Sequence, residues 1–179
     1  MQEQVLSKAE AFKGINALAM RGEIVVYGST YMANFPFYEL INKSYMENAV
    51  YNRSIAGMTI AEAKELLQIC VLDIKPNKVF LHLGEKDFDA VGAAENYAAI
   101  VRQIHSELPQ TNIYMIGIQN ERASTFNKEI AALCDQKNIF YIHFSGADGS
   151  NYKHRFLELS CFFRNRRMNM AEAFAVGNL

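Results

Sequence analysis

Five short apolar runs alternate with longer amphipathic stretches along this chain, and that alternation restricts the folds open to it. The runs cover residues 24–27, 50–55, 79–83, 113–118 and 139–144, the second of mixed polarity, and all are rich in β-branched or aromatic residues. Runs of that length and composition read as buried strands. Between them, Val5, Ala9, Phe12 and Ile15 recur at helical spacing, with Gly22 as a stop. Thr59 and Glu62 form a capping box ahead of Ala63, Leu67 and Val71, and Pro76 closes that helix. Tyr97, Ile100, Val101, Ile104 and Leu108 make a third stripe, closed by Pro109. Phe126, Ile130, Leu133 and Cys134 make a fourth, and residues 169–176 suggest a last helix. Strand–helix alternation with short connections implies an α/β fold, a parallel sheet covered on both faces and joined by right-handed crossovers.

With 179 residues and no repeat, low-complexity tract or linker, the chain reads as one domain spanning 1–179. Eighteen basic and nineteen acidic residues give a net charge of −1, no electrostatic case for nucleic acid or an anionic membrane. Cys70, Cys134 and Cys161 are widely spaced, without a CxxC, so the pattern suggests neither a zinc site nor a disulfide framework. Cys70 and Cys134 fall in helical patterns and read as small core residues. The N-terminal stretch carries charges throughout, unlike a secretory signal, and nothing approaches the ~18 apolar residues of a membrane span. The expectation is a cytoplasmic protein without metal or cofactor, with a small-molecule ligand as possible partner and an oligomeric state the sequence leaves open.

In open α/β sheets ligands bind beyond the carboxyl ends of the strands. The segments to inspect are therefore 28–32, 52–58, 84–88, 119–122 and 144–148. Three of them carry a resemblance. VVYGSTYMANFPFYEL resembles the first block of the SGNH (GDSL) hydrolases, a strand followed by Gly-Asp-Ser. VYNRSIAGMTIAEA is similar to their second block, often Asn-Arg-Gly-Ile-Ser-Gly, and KVFLHLGEKDF to their third, Gly-x-Asn-Asp after a strand. The blocks occur in order and in register with the strand pattern, from about residue 22 to the C-terminal helix. The resemblance implies a flavodoxin-like α/β/α sandwich of about five parallel strands in order 2-1-3-4-5, and esterase or lipase activity.

It also implies roles. The first-block Ser attacks an ester carbonyl; the second-block Gly N–H and third-block Asn amide hold the oxyanion; a C-terminal Asp-x-x-His supplies base and orienting carboxylate. A hydroxyl is a poor nucleophile until a base takes its proton, and each oxyanion donor is worth roughly 3–4 kcal/mol in a comparable hydrolase. Here Thr30 holds the nucleophile position, with Ser29 where the family has Asp, Gly57 matches the oxyanion glycine, and Lys86 replaces the Asn between Gly84 and Asp87. Aligning LELSCFFRNRRMNMAEA with the family's Asp-Gly-x-His stretch puts Ser160 and Phe163 at the Asp and His positions, or Leu159 and Phe162 one residue over. No histidine lies between Arg155 and Leu179.

Each candidate has a structural reading beside the functional one. Thr30 or Ser29 suits a helix N-cap. Lys86 can hold an anion or pair with Glu85, Asp87 or Asp89. His82 reads as a core histidine and His143 as a strand-end one. His154, in a loop reading of GADGSNYKHRF, is the candidate replacement base, with Asp148 to orient it. Asn52 and Asp87 join Ser29 and His154 as candidate substrate contacts. Arg164, Arg166 and Arg167 near the start of the last helix read as a solvated face or as an attraction for an anionic ligand or acidic partner, and Phe162 and Phe163 as packing against the sheet.

Three functions compete. The first is an SGNH-like protein that has lost or nearly lost hydrolysis and binds a ligand or partner at the former ester cleft. The second is an active esterase using Thr30 or Ser29 with His154. In the third, VYGSTYMAN resembles the flavodoxin phosphate loop, implying a flavin-binding module.

Overall fold

The computed structural model describes residues 1–42, 48–144 and 151–163. Five parallel strands, β1 (Ile24–Gly28), β2 (Val50–Asn52), β3 (Lys78–His82), β4 (Asn112–Ile116) and β5 (Ile139–Ile142), lie in the order β2-β1-β3-β4-β5. The sheet is the one the sequence implies. β1 and β3 are buried at every position, which is why they read as unbroken apolar runs rather than as alternating ones. Strand order reverses between β1 and β3, whose ends meet in register, Gly28 opposite His82.

Helices cover both faces. On one lie α1 (Glu3–Ile15), α4 (Ile60–Glu65), α5 (Leu67–Cys70), α6 (Ala93–Glu107) and α7 (Ser124–Ala131), packed on Val25, Tyr27, Leu81 and Met115. On the other lie α2 (Thr30–Ala33), α3 (Phe37–Asn42) and α8 (Tyr152–Phe163), packed on Ile24, Val26, Phe80 and Ile116. The two sets of strand residues alternate, as a period of two requires.

The strands differ from the apolar runs mainly at their ends. β2 stops at Asn52 because that side chain turns back on its own loop, donating to Met32 O at 2.7 Å and accepting from Ser54 N at 3.1 Å. The Thr59–Glu62 capping box is formed. The helix it opens does not run unbroken to Pro76; it divides into α4, α5 and a 3-10 turn at Leu72–Ile74. Cys70, Val71 and Leu72 are all buried, and three consecutive residues cannot share one face of a straight helix.

The largest correction falls on the C-terminal segment. Residues 152–163, read in part as a loop, form α8, with Phe156, Leu159 and Phe163 buried at i, i+3 and i+7. Lys78, at the amino end of β3, donates to the carbonyls of Phe162 and Phe163 at 2.8 and 3.1 Å, capping the carboxyl end of α8. Phe163 meets Phe80 edge-on at 4.8 Å and Phe162 meets Tyr114 of β4 at 5.4 Å, both against the sheet as expected, with Phe162 partly exposed. Asp148, Arg164, Arg166, Arg167 and the helix expected over 169–176 lie outside the described residues. Among the described residues no helix is long and apolar enough to cross a membrane.

Candidate functional site

β1 ends at Gly28, where a Cβ would meet His82 O at 2.8 Å and Met32 Cβ at 2.9 Å. Only glycine lets the strand turn into α2 this close to β3. That turn brings Ser29 and Thr30 to the carboxyl edge of the sheet. Ser29 is fully buried, and its hydroxyl donates to Met58 O at 2.9 Å. Thr30 is exposed, and its Oγ1 accepts from the Gly57 N–H at 2.9 Å. Neither hydroxyl caps α2, so the N-cap expectation is corrected. Glu85 takes that place: its carboxylate accepts from Tyr31 N at 3.2 and 3.0 Å. Burial raises the Glu85 pKa, and the Tyr31 and Thr30 backbone N–H groups hold it back.

Gly57 sits in the left-handed region at φ 75°, the backbone reason for a glycine there. Its peptide is engaged on both sides. The N–H goes to Thr30, and the carbonyl accepts from Gln2 Nε2 at 3.0 Å and Lys86 Nζ at 3.3 Å. Lys86 therefore bonds a carbonyl rather than a neighbouring carboxylate, although its charge does favour the ionised form of Asp87. Asp87 caps α4 through Ile60 N at 2.9 Å; burial raises its pKa, and its Oδ1 is buried without a partner. Asp89 pairs with Arg122 at 3.3 Å. The structure thus gathers Ser29, Thr30, Gly57, Lys86 and Asp87 at one strand edge, with Asn52 bracing α2 from the side.

No histidine side chain joins this hydrogen-bonded group. All four histidines are described, and none hydrogen-bonds the Thr30 hydroxyl. His82, the nearest in the sheet, points to the opposite side of the strand from Leu81 and lies 5.5 Å from the Tyr31 ring. It is 3 % exposed, its Nδ1 has no hydrogen-bond partner, and burial lowers its pKa to about 4. Its 3.9 Å approach to Glu85 is therefore that of a neutral imidazole to a carboxylate near pH 7. His154 is on α8, not in a loop, with Nε2 3.5 Å from Glu158.

Residues that sequence reasoning missed organise the opposite wall. Arg155, 1 % exposed, bonds Glu158 at 2.9 Å, lies 4.8 Å over the Phe144 ring and donates to Gln119, whose carboxamide oxygen faces it. Tyr31 and Phe35 pack on Tyr152 at 5.9 and 5.2 Å, joining α2 to the start of α8. Burial raises the Tyr31 pKa and the Arg155 charge opposes it. An arginine one place before Phe156 carries no sequence sign of burial; it looks like any solvated cation.

This placement corrects the C-terminal register. Ser160 and Phe163 lie toward the Lys78 end of α8, at the amino ends of the strands, so they cannot stand in for the family's Asp and His. The segment reaching the carboxyl ends is the start of α8. Neither residue at that start, Asn151 nor Tyr152, is a histidine. Asn151 caps α8 through His154 N at 3.0 Å. Among the described residues no cluster of three His, Cys, Asp or Glu side chains is arranged to hold a metal ion.

No protein-family model and no curated protein matches the chain. Solved structures do. A proposed platelet activating factor from Streptococcus pneumoniae is similar with a TM-score of 0.78 at 16% identity, over 90% of this chain and 94% of that one. A proposed acylhydrolase from Bacteroides fragilis gives 0.69 at 10% identity, covering 87% and 97%. A GDSL-like lipase from Bacteroides thetaiotaomicron gives 0.64 at 12% identity, covering 75% and 77%. At these identities the likeness fixes the fold: this chain has an SGNH/GDSL hydrolase-like three-layer α/β/α architecture.

Proposed function

We propose that this SGNH-like protein has given up ester hydrolysis and keeps the former ester cleft as a binding surface. The observation that carries the reading is the Thr30 hydroxyl, held by the Gly57 N–H and hydrogen-bonded to no imidazole. A hydroxyl without a base stays protonated, and a β-branched carbon crowds its attack. The rest of the site supports the same conclusion. The Gly57 N–H, which the resemblance assigns to the oxyanion, is already donated to Thr30. Glu85 places a carboxylate against the α2 backbone N–H groups, beside the charge that a tetrahedral intermediate would develop. Lys86 leaves one cation at the rim to attract an acidic group. A carbohydrate esterase of similar fold, whose active site displays divergent catalytic and non-catalytic binding functions, shows the kind of change proposed.

The test is hydrolysis of p-nitrophenyl acetate and butyrate by the pure protein. Rates should equal those of buffer with an unrelated protein. Turnover clearly above that level, abolished by Thr30→Ala, would overturn the reading in favour of a rebuilt esterase.

A further inference from the structure

A second cavity lies away from the Thr30 edge, at the carboxyl ends of β4 and β5. Its volume is about 500 Å³, within the range of small-molecule sites. It opens between the loop after β4, the α7 positions Ser124, Asn127, Lys128 and Ala131, and the end of β5, and shares no lining residue with the cleft around Thr30, Gly57 and Lys86. In the sheet the cleft lies at the ends of β1 and β3 and the cavity at the ends of β4 and β5.

The walls are built rather than left over. Asn127 clamps the loop after β4 with both ends of its carboxamide, accepting from Ile118 N and donating to Ile118 O, each at 2.8 Å. Gly117 makes room for a neighbour: a Cβ there would overlap the Tyr141 hydroxyl and sit 3.1 Å from Cζ. The phenol therefore reaches across the end of β4 into the cavity. Tyr141, Phe144, Ile118 and Ala131 give it flat, apolar sides.

Several polar groups facing it have no partner among the described residues. The side chains of Lys128, His143, Ser124 and Tyr141 make no hydrogen bond or ion pair with a described residue. Asn127 is used up by Ile118, and the Gln119 oxygen by Arg155. Lys128 is the one fixed cation of the lining and Glu121 the one fixed anion. An ammonium beside two hydroxyls that can turn to donate suits an oxygen-rich acceptor; one cation offset by one anion disfavours a doubly charged group.

The geometry points to a binding site for a small organic monocarboxylate with a flat apolar body. The carboxylate meets Lys128 and the Tyr141 and Ser124 hydroxyls, and the body lies against Tyr141 and Phe144. This site stands independently of the reading given to the Thr30 cleft.

Benzoate titrated into the isotope-labelled full chain, followed by amide NMR, tests it, with benzyl alcohol and inorganic phosphate as controls. Benzoate should shift residues 117–121 and 141–144 saturably and bind more tightly than either control. Lys128→Met, on the exposed side of α7, should weaken benzoate about fivefold, the factor of a ~1 kcal/mol partly exposed charge contact, and leave benzyl alcohol unchanged. Ala131→Phe, which fills the cavity, should remove binding from a protein whose spectrum stays dispersed. The proposal fails if millimolar benzoate gives no saturable shift, if phosphate binds as well, or if Lys128→Met changes nothing. It also fails if the shifts fall on residues 28–32 and 84–88, which would place the anion at the Lys86 cleft.

Discussion

Replacing His82 with phenylalanine should flatten the acid side of the stability curve. His82 titrates near 6.5 when unfolded and at about 4 when buried beneath Tyr31. Its folded pKa is lowered, so between those values the unfolded chain takes a proton that the native one refuses. The neutral form stabilises the fold fully above pH 6.5, and that contribution falls away as pH drops toward 4. Linkage over this window gives a loss of about 2 kcal/mol between pH 7 and pH 5. Glu85 works the other way, since burial raises its pKa and its ionised form weighs on the native state as pH rises. The difference between wild type and variant isolates the histidine. Urea unfolding at pH 7 and pH 5 measures it, with midpoints converted through a common slope. His82→Phe should lose less stability than wild type across that interval, by about 2 kcal/mol. Equal losses would show that the imidazole accepts a proton in place, and a base beside the Thr30 edge would return to consideration.

Other substitutions test the parts separately. Lys78→Met removes both bonds to the end of α8 and should cost about 2 kcal/mol in urea unfolding; a loss near zero would mean that α8 is held without that cap. Glu85→Gln keeps an acceptor for Tyr31 N but removes the charge, so stability should change by no more than about 1 kcal/mol and p-nitrophenyl acetate hydrolysis should stay at background. Thr30→Ser should also be silent, because it supplies a better nucleophile without a base, and p-nitrophenyl acetate hydrolysis checks it. Activity from the single serine variant would contradict the missing-base argument.

The sheet was legible because its strands are buried on both faces and leave continuous apolar runs, as at 24–27 and 79–83. Gly28, Gly57 and Gly84 marked the loops at its carboxyl edge, and the Thr59–Glu62 box fixed the start of α4. The C-terminal segment was not legible, because α8 buries an arginine among its phenylalanines and so breaks the apolar stripe where a periodic reading needs it. That gap let the Asp-Gly-x-His register slide onto Ser160 and Phe163. Glu85 was hidden for a different reason: it sits at the variable position of the Gly-x-Asn-Asp block, and its part in capping α2 depends on a contact 54 residues apart in sequence. His82 could be read as buried from its strand, but its ring contact with Tyr31 required the fold.

Exposure of the pure protein to a fluorophosphonate probe, read by intact mass, bears most directly on the claim that the first-strand hydroxyl has no base. The mass should remain that of the unmodified chain. A stoichiometric adduct mapped to Thr30 would show an activated nucleophile and contradict the account.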